Sequence, residues 1–221
     1  MFRFLDLFMM TTDVYQEVLT RVKNGEKFLD LGCCFGQEIR KLVFDGAPSQ
    51  NTYGADLSED LLSTGYDLFK DKDRLQTTFM AADVFDDLSP LSKLTGQIDI
   101  IYTGAFFHLF NLGEQERVAL RIVQLLAPKP GSLLVGQQTG ADSSGEYSRS
   151  SDKSGRKNFR HNAQSWKELW DRIGEQTGSR WTVEATLYFP EFTVSVPEGE
   201  LHTKQNMILS KGLSFIVKRL S

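Results

Sequence analysis

Short apolar runs that stop at a glycine or an acid alternate along this chain with longer stretches whose apolar residues return every three or four positions. The second kind of spacing predicts a helix over Asp13–Lys23 (Val14, Val18, Leu19, Val22), closed by Asn24-Gly25. A strand at Phe28–Leu31 follows, then a helix carrying Ile39, Leu42 and Val43 that ends at Gly46 before Pro48. Thr52–Leu57 reads as a second strand. Ser58 caps the next helix, whose first turn holds Glu59 and Asp60 and whose apolar face is Leu61, Leu62, Gly65, Leu68 and Phe69. Thr77–Ala82 and Ile98–Tyr102 are strands three and four. Glu114–Leu126 is the clearest helix, stopped by Pro128 and Pro130, and Ser132–Val135 opens a fifth strand. Ala141–His161 is polar and rich in Ser, Gly and basic residues, so it reads as a long loop. Ser165-x-x-Glu168 has the form of a capping box before Trp166, Leu169, Trp170 and Ile173. Trp181–Phe189 alternates as a half-buried strand does, and a loop with Pro190, Pro197 and Gly199 leads to a last strand at Leu213–Lys218.

Strands alternating with helices predict an α/β fold, a doubly wound and mostly parallel sheet of seven strands, with an antiparallel hairpin at its C-terminal edge. A length of 221 residues suits a single domain over 1–221, with 1–24 as a helical or lid segment and 140–162 as a substrate-side loop. Met1–Met10 is apolar, but it carries Arg3 and Asp6 and is too short to cross a bilayer, so no membrane span and a cytoplasmic protein are expected. A formal net charge of -4 argues against a nucleic-acid substrate held by its phosphates. The basic cluster Arg149, Lys153, Arg156, Lys157 and Arg160 is local. The only cysteines, Cys33 and Cys34, are adjacent. They suit a tight turn in a reducing compartment better than a disulfide or a metal site.

Chemistry gathers at Phe28–Gly36, where strand, glycine turn and helix let a backbone approach a ligand closely. Three acids close successive strands. Asp56 is placed to accept from two ribose hydroxyls, Asp83 from an exocyclic adenine amine, and Asp30 to meet a cationic amino group. The Gly32-x-x-x-Gly36 spacing lacks the third glycine of a dinucleotide fingerprint, and Asp30 would repel a pyrophosphate. S-adenosyl-L-methionine satisfies all three acids, with its carboxylate met by backbone N–H groups of the turn. Thr103 and Gly104, after strand four, would touch its methionine portion by backbone.

With Asp30-x-Gly32-x-x-x-Gly36, Gly54-Ala55-Asp56-Leu57-Ser58 and Ala82-Asp83-Val84-Phe85 in place, the chain resembles a class I S-adenosylmethionine-dependent methyltransferase with a Rossmann-like sheet. The resemblance adds Cys33, Leu57 and Val84 to the cofactor contacts. Phe28–Arg40, Asp45–Ser49, Pro128–Ser132 and Phe159–Asn162 resemble the fungal meroterpenoid-pathway methyltransferases of the austinol, andrastin and terretonin type. That closer likeness implies methylation of the carboxyl group of a farnesylated polyketide acid in secondary-metabolite biosynthesis, giving a methyl ester. It also implies a longer N-terminal region than the short piece before Val14.

An ionised carboxylate, with a pKa of roughly 4, needs orientation and a dry site rather than a base, whereas a phenol near 10 needs one. His108, after strand four, is the candidate to orient a substrate oxygen or to act as base. His161 is the second catalytic candidate, and Arg160 beside it would bind a substrate carboxylate. Gln137, Gln138 and the aromatics Phe106, Phe107 and Phe110 are expected to line the substrate side. The expected partner is a small lipophilic acid, with a homodimer left open. Two alternatives stand beside this reading: methylation of a phenolic or other hydroxyl with His108 as base, and a non-catalytic cofactor-binding partner protein.

Overall fold

The computed structural model describes residues 7–148, 155–189 and 211–221. Arg149, Lys153, Pro190, Pro197 and Gly199 lie outside the described residues. Nine strands and five α-helices run in the order α1 (Tyr15–Lys23), β1 (Phe28–Leu31), α2 (Gln37–Phe44), β2 (Thr52–Asp56), α3 (Glu59–Phe69), β3 (Thr78–Ala81), β4 (Ile100–Gly104), α4 (Leu112–Leu125), β5 (Leu133–Thr139), β6 (Gly145–Ser148), β7 (Lys157–Arg160), α5 (Ala163–Thr177), β8 (Trp181–Tyr188) and β9 (Gly212–Arg219) among the described residues. Seven strands form one sheet in the order β3-β2-β1-β4-β5-β9-β8. The first five are parallel, and β9 runs antiparallel to both β5 and β8. The expected doubly wound sheet with an antiparallel edge is therefore present.

The sheet separates two apolar layers. Alternation along β1 and β4 sends Leu29, Leu31 and Ile101 toward α4 and α5, and Phe28, Ile100 and Tyr102 toward α1 and α2. Because β1 pairs with β2 on one side and β4 on the other, strand order reverses between β1 and β4. A ligand is expected beyond the carboxyl ends of the strands at that point.

Two expectations are corrected here. The stretch read as a loop over 140–162 contains an antiparallel hairpin, β6 with β7, paired from Gly145↔Arg160 to Ser148↔Lys157. Helix α5 starts at Ala163. Its capping box is built by Asn162, whose Oδ1 accepts the Ser165 N–H at 2.8 Å while Ser165 Oγ accepts the Asn162 N–H at 3.1 Å. Ser165 is thus the third residue of the helix and not its cap. The Ser58 cap of α3 stands as expected, its hydroxyl accepting the Leu61 N–H at 3.3 Å.

Candidate cofactor and substrate site

The turn between β1 and α2 is held from several sides. Gly32 and Gly36 take positive φ, 83° and 70°, which glycine adopts without steric cost. A side chain at Gly32 would collide with the Phe106 ring from the loop after β4, and one at Gly65 in α3 with the Phe35 carbonyl. From beneath, Arg40 donates to the Phe35 carbonyl and forms a two-pronged pair with Asp71 at 2.7 and 3.0 Å. Sequence reading gave Arg40 no role.

The amides of the turn are largely engaged within the chain. Gly32 and Cys33 N–H both donate to the Ala55 carbonyl, Gly36 N–H to the Cys33 carbonyl, and Cys34 N–H to Asp56 Oδ2 at 2.9 Å. These four are not aimed at a ligand carboxylate, contrary to expectation. Cys33 is 1% exposed and belongs to the core under α1 and α2, so only its backbone borders the turn.

Asp30 lies inside β1, one residue before the strand ends, and is 2% exposed. Its carboxylate accepts no hydrogen bond among the described residues. Burial, reinforced by the negative charges of Glu38 and Asp56, pushes its pKa well up. A buried carboxylate flanked by two others, and by no cation among the described residues, is suited to an ammonium group. Asp56, at the end of β2, also accepts from Ser58 N–H at 3.1 Å. Asp83 is exposed just past β3 and accepts Phe85 N–H at 2.8 Å, while Leu57 is exposed and Val84 packs into the core. Gly104 ends β4. Thr103 turns its hydroxyl to the opposite layer, beside Gly136, where it has no hydrogen-bond partner among the described residues. Asp30, Asp56 and Gly104 thus stand at or next to the carboxyl ends of β1, β2 and β4, with Gly32 in the turn after β1 and Asp83 past the neighbouring β3, a set of groups whose chemistry fits S-adenosylmethionine.

On the substrate side the structure sorts the candidates. Thr139 N–H donates to His108 Nδ1 at 3.4 Å, which in the neutral ring leaves the proton on Nε2. His108 is thereby a donor in its neutral form. The hairpin is fastened to the same loop: Asn158 donates to the His108 carbonyl at 2.6 Å, and Phe159 N–H to the Phe110 carbonyl at 2.9 Å. Arg160 stands two residues along, on the same face of β7 as Asn158. Arg156 and Lys157 pair with Glu114 and Glu146, but Arg160 meets no carboxylate among the described residues. Its guanidinium lies 4.6 Å from the Tyr147 ring centre, its Nε has no hydrogen-bond partner among the described residues, and partial burial lowers its pKa.

Phe107 is fully buried, edge-on to Trp166 and Phe215, so it backs the site and cannot line it; Phe106 and Phe110 are the partly exposed pair. Gln137 accepts from the Tyr188 hydroxyl at 2.5 Å, and Gln138 is buried with Oε1 unpartnered among the described residues. His161 is 1% exposed, with Nδ1 2.9 Å from Ser165 Oγ and its ring edge-on to Phe159 and Trp166. It is a packed imidazole at the foot of α5 and not a residue of an open loop. Burial, with Arg172 nearby, lowers its pKa from 6.5 to about 4. A histidine depressed in the fold loses stability as pH falls below about 6.5, because the unfolded chain then takes up the proton. The loss grows to on the order of 3 kcal/mol near pH 4. Chemical denaturation of His161→Phe between pH 4 and 7 is expected to lack this acid-side loss.

A family model described as a methyltransferase domain matches residues 28–129. O-methyltransferase phiE from a fungal species is 42% identical over 228 residues, which cover 99% of this chain and 75% of phiE. The Asnovolin E/Chermesin D methyltransferase nvfJ of Aspergillus novofumigatus is 43% identical over 185 residues, 83% of this chain and 66% of nvfJ. Methyltransferase adrK of Penicillium roqueforti is 42% identical over 82% of this chain. The chain spans 65% of adrK's length, so its relatives include sequence beyond it. Among solved structures, Haemonchus contortus phosphoethanolamine N-methyltransferase 2 with S-adenosyl-L-methionine superposes with a TM-score of 0.60 at 15% identity, over 92% of this chain and 51% of that one. The citrinin polyketide synthase CMeT domain gives 0.60 at 16% identity, over 95% and 52%. These two likenesses show the fold. Matched by a methyltransferase-domain model and, over nearly its whole length, by a fungal O-methyltransferase, the chain belongs to the class I S-adenosylmethionine-dependent methyltransferases and is similar to O-methyltransferases of fungi.

Proposed function

We propose that this chain transfers a methyl group from S-adenosylmethionine to the carboxylate of a lipophilic acid, giving a methyl ester. The observation that carries this reading is Arg160, a half-buried cation with no carboxylate partner among the described residues, on a hairpin bonded to the His108 loop. S-adenosylmethionine supplies a methyl group on a sulfonium, open to in-line displacement by a nucleophile. Asp30 holds the ammonium, Asp56 and Asp83 the adenosine, and Leu57 and Val84 border the base. Arg160 and the Nε2–H of His108 orient an acceptor that is already ionised, each as a donor. Phe106 and Phe110 give the apolar wall a prenylated substrate needs, with Phe107 behind them, and Gln138 adds a polar edge. His161, neutral and packed, steadies the end of β7 beside Arg160 and takes no part in proton transfer. The name of nvfJ, an Asnovolin E/Chermesin D methyltransferase, supports a small-molecule acceptor.

The test is mass spectrometry of candidate acids incubated with protein and cofactor, in search of a base-labile added methyl. At saturating cofactor the rate is expected to stay flat from about pH 6 to 8, with a loss below about tenfold in His108→Phe. A loss of a hundredfold or more, with a pKa near 7 in the profile, would instead identify a hydroxyl acceptor deprotonated by His108.

A further inference from the structure

One buried acid near the turn is used by none of these roles. Glu38 is the second residue of α2, a position where an acid usually faces water and the positive helix end, yet it is 3% exposed. Its Oε1 accepts the Met9 N–H at 3.2 Å, and the Phe8 amide bonds the same carboxylate. Met9 opens a short 3-10 turn, Met9–Thr11, and its side chain is fully buried. The Tyr102 phenol lies against the carboxylate from β4. The two groups are electrostatically coupled, and by hydrogen-bond geometry neither Glu38 Oε2 nor the Tyr102 hydroxyl has a partner among the described residues. That hydroxyl also stands 2.9 Å from where a side chain at Gly104 would begin, at the end of β4. Tyr102 is the register partner of Asp30.

The geometry points to Glu38 as a positioning residue that fastens the segment Phe8–Thr12 to the cofactor turn and tightens that hold when a cation sits at Asp30. The inference rests on the cofactor site proposed above. An ionised Glu38 makes charge-assisted bonds to the Met9 and Phe8 amides, and a protonated one makes weaker ones. The groups facing it are Asp30 of β1, Tyr102 of β4 and Tyr15 of α1, with Cys33 and Asp56 around Asp30, and no Lys or Arg is among them. Burial raises Glu38 to about 7, so it titrates in the working range. A ligand ammonium at Asp30 favours the charged form of Glu38, and by linkage the docked segment favours the ammonium.

Hydrogen exchange and titration calorimetry with S-adenosylhomocysteine, which keeps the ammonium, test this at pH 6 and 8. In the wild type, affinity is expected to rise severalfold from pH 6 to 8, and the ligand to slow exchange of the Phe8–Thr12 amides about tenfold at pH 8. Glu38→Gln keeps an acceptor of the same shape without the charge. It is expected to bind, to lose the affinity step near pH 7, and to show no ligand-induced slowing at Phe8–Thr12. Binding with wild-type slowing and wild-type pH dependence overturns the latch alone, whereas a wild type that binds no ligand overturns the cofactor site with it. Tyr102→Phe serves where Glu38→Gln does not fold. Losing the phenol donor moves the affinity step to higher pH with the slowing retained, and an unmoved step overturns the proposal.

Discussion

Arg40→Ala is expected to cost about 3–5 kcal/mol of stability, a fall in Tm of roughly 6–20 °C, and to weaken cofactor binding as well. The reason is the number of partners one guanidinium serves in a poorly hydrated place. Arg40 and Asp71 expose only 9% and 16% of their side chains. The planar fork meets both Asp71 oxygens, and Nη1 reaches the carbonyls of Phe35 and Gly36. The ring centres of Phe69, Phe79 and Tyr66 lie 4.6, 5.3 and 5.4 Å from it. Alanine leaves the Asp71 charge without its partner and takes the side-chain donor away from the Phe35 carbonyl, while Gly36 keeps its bond from the backbone N–H of residue 40, so the loss exceeds what a surface pair contributes. Arg40→Lys restores the charge but not the fork, and is expected to recover less than half of the loss. Thermal melts and titration calorimetry on the same samples measure both effects. A change below about 1 kcal/mol in Arg40→Ala would show that the clasp is not structural.

Arg40 and Glu38 also show where sequence reading stops. The seven-stranded sheet was legible because apolar alternation and helical spacing are set by which face each element buries. The acids proposed to hold the cofactor stood out because they lie at or next to strand ends. Glu38 reads locally as an ordinary acid near a helix start, and only its spacing of four before the buried Leu42 hints that it points inward. Arg40 lies on the same helix with partners some thirty residues away, which no local pattern reveals. The hairpin escaped notice because β6 and β7 are four residues each and mostly polar, and because they gain stability from bonds to the His108 loop more than from an apolar face. The Asn162 cap was missed because Ser165 fits two overlapping boxes, and sequence cannot say which of them the chain entry selects.

Asp30→Asn is expected to move stability and binding in opposite directions. In the free protein Asp30 is a buried carboxylate next to Glu38 and Asp56, with its pKa well above the ordinary value. The folded state therefore holds a proton that the unfolded chain gives up at about pH 4, so this group lowers stability progressively as pH rises from there through its folded pKa. Asparagine has no such proton. The D30N protein should accordingly melt higher than the wild type at pH 8, with the difference vanishing toward pH 4. Binding runs the other way, because the carboxylate that burial destabilises is the one an ammonium would neutralise. Removing one member of a buried, hydrogen-bonded charge pair costs about 2–5 kcal/mol, a rise in cofactor Kd of about thirtyfold or more. The two signs together separate a binding role from a packing role, since a residue needed only for packing would lose stability along with affinity. Melting curves across pH and calorimetric titration of S-adenosylmethionine decide between them. A D30N protein that binds as the wild type does would remove Asp30 from the cofactor site, and a lower melting temperature at pH 8 would show that its carboxylate is satisfied in the free fold.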